Sequence, residues 1–285
     1  MLFKFKAKGF FRGFTINDLI YLLIFPAIIT LLMFLPDYIK TSMILNLKNP
    51  QWWQVFTSGF IHQSWNHLLG NLRGYFLIVF PLFFLIATRT KKKKYYFRLM
   101  LFTILTFPIA GSLFQIHFYP QALPSLIYSS GSSGIVASLA GFIPSFWLLS
   151  VLNKKNQKVR KGFALISMTY LALLFSIIYF QIYQSLVIIL FLGISLIILL
   201  FSYRKRFLNV LGIIDLERKK DIISELIILF VMALFLAAPF LFFPFISSLN
   251  NNGSLTDFLI HYIGIFYGLM VSFGFFSYIH KETRE

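Results

Sequence analysis

The chain has 285 residues, 58% of them hydrophobic and only 12% charged, about half the roughly 25% charged content of a soluble globular domain. That balance excludes a water-soluble fold of this size. The net charge of +17, from 26 Lys+Arg against 9 Asp+Glu, would suggest nucleic acid in a soluble protein. Here the basic residues come in short bursts between apolar runs, the pattern of cytoplasmic loops in a membrane protein. No nucleic acid is expected as a partner; the lipid bilayer is. With no cysteine, a disulfide framework, a zinc thiolate site and a cysteine nucleophile are all excluded.

Along the chain, Lys4, Lys6, Lys8 and Arg12 make residues 1–15 a basic segment expected in the cytoplasm. The run from Ile16 to Pro36 is too long for a signal peptide, and no small-residue cleavage site follows it; it reads as span one, with Pro26 as a possible kink. A polar outer loop from Asp37 to Ser64 carries the interfacial aromatics Trp52, Trp53 and Phe56. Span two is expected over Trp65 to Ala87 and span three over Tyr95 to Ile116, separated by the burst Arg89 to Arg98. A loop with Pro120 and Pro124 leads to Ser129-Ser130-Gly131-Ser132-Ser133-Gly134, from which span four runs to about Leu152. Spans five (Gly162 to Tyr183) and six (Leu186 to Tyr203) form an outer hairpin; span seven covers Glu225 to Ile246 and span eight Asp257 to Ile279.

With this parity, 23 of the 26 basic residues lie inside, including Lys281 and Arg284 after the last span. Both termini are therefore expected in the cytoplasm, and the protein in the cell membrane. The fold class expected is an all-α polytopic membrane helical bundle of about eight transmembrane helices, treated as one domain over residues 1–285.

Polar side chains inside spans are costly and by default point to function. His62, His67 and Asn71 stand at the start of span two, Gly131-Ser132-Ser133-Gly134 at the start of span four, and His261 near the start of span eight. These three spans run in the same direction, so their beginnings share one depth and can share one site. Gly134, Ala137, Ser138 and Gly141 below Ser133, and Gly264 and Gly268 below His261, are spaced for close helix approach. A serine nucleophile needs a general base, for which His261 is the candidate, and donors for an oxyanion, which Asn71, His67 and the N–H at the start of span four could supply. Asp257, one turn before His261, reads as a helix cap rather than a third member, so a Ser–His dyad is expected.

In this arrangement, Trp53 with Phe56, His62-x4-His67-x3-Asn71, Gly131-Ser132-Ser133-Gly134 and His261-x2-Gly264-x3-Gly268 resemble the rhomboid family of intramembrane serine proteases. The resemblance implies a rhomboid-like core with extra spans within 162–246, and a serine endopeptidase that cleaves transmembrane proteins in or near their spans without metal or other cofactor. It implies Ser133 as nucleophile, His261 as base, and Asn71, His67 and the Ser133 N–H as the oxyanion site. His62, Gly131, Gly134, Gly264 and Gly268 would support the site, His62 by structuring the first loop. Two positions depart from the family pattern: Gln54 follows Trp53 where many members have arginine, and Ala137 stands where many have an aromatic. They keep open the alternative of a catalytically inactive relative that binds transmembrane helices. The bland readings are a flexible helix start at Gly131 to Gly134, an interhelical hydrogen bond at His261, and ordinary packing glycines at Gly264 and Gly268. A zinc protease is disfavoured by the lack of His-Glu-x-x-His.

Overall fold

The structure is a computed structural model that describes residues 14–89, 93–122, 127–151, 157–178, 186–211, 230, 233 and 254–282. Its helices are α1 (Ile16–Leu32), α2 (Asp37–Met43), α3 (Gln54–Thr57), α4 (Trp65–Arg89), α5 (Lys93–Ala122), α6 (Ser133–Ala140), α7 (Ile143–Val151), α8 (Gln157–Ile178), α9 (Leu186–Leu211) and α10 (Ser254–Glu282). Two short strands, β1 (Leu45–Asn46) and β2 (Tyr128–Ser129), pair antiparallel with Leu45 opposite Ser129. The protein is thus mostly helical. Within α4 and α5, Trp65–Ile86 and Lys93–Pro120 are long and apolar enough to cross a bilayer, and α1 with α2 form a candidate pair bent by 118°. Shorter apolar helical stretches lie at Ser133–Leu149, Gly162–Leu174, Leu192–Tyr203 and Leu259–Phe275. The span expected over 225–246 falls almost entirely outside the described residues.

α6 is the centre of the bundle. All its residues are buried, and α4, α5 and α10 pack around it. α7 continues below it against α4, α8 and α10, while α8 pairs with α9, where the Tyr203 ring lies directly against Gly162. The outward faces are apolar: Ile20, Ile24, Ile28 and Leu31 on α1, and Leu101, Leu105, Ile109 and Leu113 on α5, are all exposed. Stripes of this kind, set around a core that buries serines and a glutamine, suit a surrounding of lipid.

Two departures from the expected elements occur at prolines. Span four is α6 followed by α7 with a two-residue turn at Gly141-Phe142, just before Pro144, which has no N–H to donate to the Ala140 carbonyl; together the two remain one apolar stretch, Ser133–Leu149. Pro120, expected in a loop, instead lies in the last turn of α5. At Pro26 the helix runs on through the proline, which can take no hydrogen bond to the Leu22 carbonyl. The hydroxyl of buried Tyr75 on α4 donates to that carbonyl at 2.8 Å, so the acceptor freed by the proline becomes a bond between helices. At the start of α1, Thr15 and Asp18 form a capping box, and Lys93 at the start of α5 reaches Asp18 at 2.7 Å.

Candidate active site

Ser133 is the first residue of α6, and Ser132 is its N-cap. The approach to the helix is fixed by Gly131, whose φ of +119° is one that L side chains rarely adopt. A second constraint acts at the same residue. A Cβ there would lie 2.5 Å from Cε1 and 2.9 Å from Nε2 of His67, so the imidazole rests on the bare glycine backbone. The Gly131 N–H donates to the Ser58 carbonyl at 2.9 Å, which ties this turn to the end of the first loop.

The opposite wall is α10. A Cβ on Gly264 would meet the Gly134 carbonyl at 2.5 Å and the Ala137 Cβ at 3.0 Å, and one on Gly268 would run into the Ser138 carbonyl. Gly141 lies in the same way against the Ile265 carbonyl. The two backbones are therefore in contact over two turns, which small residues alone permit. Ala137 belongs to this contact, since a larger side chain would push Gly264 away. His261 is one helical turn above Gly264, and Ser133 adjoins Gly134, so both stand at the upper edge of the close-packed region. They are 8% and 6% exposed, respectively.

On the α4 side a polar cluster closes around the same turn. Nδ2 of Asn71 lies 2.9 Å from Nε2 of His62. The Ser132 N–H and Oγ approach that same nitrogen at 3.3 and 3.1 Å. The His62 and His67 rings stand edge to face, 5.1 Å apart. Burial, with a smaller contribution from the neighbouring His67 charge, pushes the His62 pKa down to about 4, against the opposing pull of the Phe60 carbonyl; His62 is neutral near pH 7. Asn71, His62, His67, Gly131 and Ser132 are thus brought into one contact network beside Ser133.

Two features lay beyond the sequence reading. Behind Ser133 is a small cavity of about 30 Å³, lined among others by Ser58, Ser112, Gln115 and Ser129, large enough for a water and polar enough to hold one. Ser58 and Ser112 hydroxyls are 3.3 Å apart, and Gln115 Nε2 donates to Ser129 Oγ at 2.8 Å. The second feature is the role of Gln54. Its Oε1 accepts from the Asn46 and Gln51 N–H groups at 3.2 and 3.1 Å, and its Nε2 donates to the Ser42 carbonyl at 3.2 Å. Trp53 Nε1 donates to the same carbonyl at 3.0 Å. The departure from the Trp-Arg pattern therefore leaves the first loop cross-braced.

The family model described as Rhomboid domain matches residues 49–197, more than half of the chain and including His62, His67, Asn71 and the Gly131–Gly134 turn. The chain belongs to the rhomboid family. It is an integral membrane protein, and α10 with His261 lies beyond the matched stretch of the rhomboid domain. Comparisons with curated proteins and with solved structures return no match.

Proposed function

We propose that this rhomboid protein is an intramembrane serine endopeptidase working through a Ser133–His261 dyad, with transmembrane proteins as substrates. The observation that carries the reading is the convergence, at one level of the bundle, of the buried start of α6, the glycine face of α10 below His261, and the His62–His67–Asn71 cluster at the start of α4. In the reaction, His261 takes the Ser133 proton as Oγ attacks the scissile carbonyl carbon. The oxyanion is met by the Ser133 N–H, the Asn71 amide and the His67 imidazole, at the positive end of the α6 dipole. His261 then returns the proton to the leaving amine. A water, for which the Ser58–Ser112–Gln115 cavity is a local source, attacks the acyl-serine carbonyl carbon as His261 takes its proton; the ester C–Oγ bond then breaks, His261 returns the proton to Ser133 Oγ, and the carboxylic acid product leaves. Helix-breaking residues in the substrate would free the scissile carbonyl from its internal hydrogen bond.

The neighbouring Ser132–His62 pair also places a hydroxyl beside an imidazole, at 3.1 Å. It fits the reaction poorly. Ser132 has no exposed surface, His62 Nε2 already receives donors, and its low pKa makes it a weak base. Ser133 keeps some exposure and lines the cavity.

The test is cleavage, in proteoliposomes, of single-span reporters whose helices are interrupted by glycine or proline. Cleavage is expected from the wild-type protein, with equal loss in Ser133→Ala and His261→Ala because members of a catalytic unit are not additive. Near-normal cleavage by either variant would contradict the dyad. The rival reading, a relative that binds transmembrane helices without cutting them, predicts reporter capture with no cleavage by well-folded wild-type protein.

A further inference from the structure

Three polar groups converge on one nitrogen. Nε2 of His62 has the Asn71 Nδ2 at 2.9 Å, the Ser132 Oγ at 3.1 Å and the Ser132 backbone nitrogen at 3.3 Å. A backbone N–H can only donate, which gives Nε2 the lone pair and places the proton of the neutral ring on the buried Nδ1, which has no hydrogen-bond partner among the described residues. That settles the orientation of Asn71 as well. Turned the other way, its amide oxygen would face a lone pair, whereas with Nδ2 towards His62 one amide hydrogen is held and the second is left for the cleft. The ring is 2% exposed and Asn71 9%. Neither water nor rotamer exchange competes freely for the contact.

We infer that His62 is a positioning residue for the oxyanion site: its Nε2 acts as a fixed acceptor that aims the Asn71 amide and clamps the Ser132 N–H, holding the turn that presents Ser133. This rests on the protease reading above and goes beyond bracing of the first loop, because it assigns His62 an effect on the rate of chemistry through a particular nitrogen in a particular tautomer. His62 does not touch the substrate. Its influence passes through Asn71 and through the peptide preceding Ser133, so its removal should act on kcat and leave KM nearly unchanged.

The experiment compares wild type, His62→Leu, His62→Gln, Asn71→Ala and His62→Leu/Asn71→Ala, using reporter cleavage and the labelling rate of a fluorophosphonate, whose attack by serine also develops charge on oxygen. His62→Leu should lower kcat by about the 10²–10³-fold typical of losing one oxyanion donor. His62→Gln, whose side-chain oxygen reaches the same position as an acceptor, should recover most of the rate. The double variant should be no slower than Asn71→Ala alone. A His62→Leu enzyme at the wild-type rate, a His62→Gln enzyme as slow as His62→Leu, or losses that multiply in the double variant would each overturn the inference. Where His62→Leu does not fold, the rate of His62→Gln against wild type and Asn71→Ala carries the test, and ¹⁵N-histidine NMR of the wild-type protein checks the tautomer: an unprotonated Nε2 at pH 7 is expected, and a protonated Nε2 would refute the assignment regardless of activity. Failure of wild-type protein to label at all, with Nε2 unprotonated, would instead remove the protease reading and the catalytic role with it, while leaving the hydrogen-bonded network intact.

Discussion

His62 couples protonation to folding. Its folded pKa is about 4, below the roughly 6.5 of an unfolded histidine. Between those values the unfolded chain binds a proton that the folded chain refuses, so stability is full above pH 6.5 and declines as the pH falls to 4. The full loss is roughly 3 kcal/mol. His62 lines an outer cavity of about 330 Å³ together with Asp37, Lys40 and Tyr128, and the His67 ring on α4 stands edge to face with the His62 ring. Thermal unfolding in detergent between pH 7 and 4 should show a steeper decline for wild type than for His62→Gln. Parallel declines would contradict the account.

At the scale of elements, the site depends on α6 and α10 touching backbone to backbone. Gly268 and Gly274 on α10 test this within one helix. A Cβ at Gly268 meets the Ser138 carbonyl and lies 3.2 Å from the Gly141 Cα, whereas one at Gly274 has nothing within 4 Å. Backbone cannot give way as a side-chain end can, so Gly268→Ala should cost about 2–3 kcal/mol, in the range of overpacked cores. Gly274→Ala should be neutral or stabilising by about 0.5–1 kcal/mol, the ordinary helix advantage of alanine over glycine. Equal melting shifts for the two variants would mean that the helices are not in contact as described. The same scale shows where sequence patterns stop. The spacing of Gly134, Ser138 and Gly141 marks a close-packing face, but the turn between α6 and α7 leaves no mark in a run that stays apolar from Ser133 to Leu149.

For the molecule as a whole, hydropathy made α4 and α5 legible, since they are two long apolar runs that meet at the basic burst Arg89–Arg98. The polar residues that meet around the start of α6 were conspicuous too, because histidine, asparagine and serine stand out in such runs. What stayed hidden is non-local. Nothing in the order of residues says that Gln54 would join three loop segments, that Ser58 and Ser112 would meet 54 positions apart, or that Ser132 would share an acceptor with Asn71. A lipid surround makes its own prediction. Ile24 is 52% exposed near the middle of α1, and Ile24→Arg should impair membrane insertion by about 2.5–3.5 kcal/mol, the cost of a charge at a span centre. In a water-soluble bundle that exposed position would tolerate arginine, and an unchanged yield of membrane-inserted protein would count against the lipid-facing assignment.

The central claim is that Ser133, and not its neighbour Ser132, is activated by His261. Its most direct test is peptide mapping by mass spectrometry of purified protein treated with a fluorophosphonate in detergent. The adduct should sit on Ser133, persist in Ser132→Ala, and vanish in both Ser133→Ala and His261→Ala. An adduct on Ser132, or undiminished labelling of Ser133 without the His261 imidazole, would contradict it.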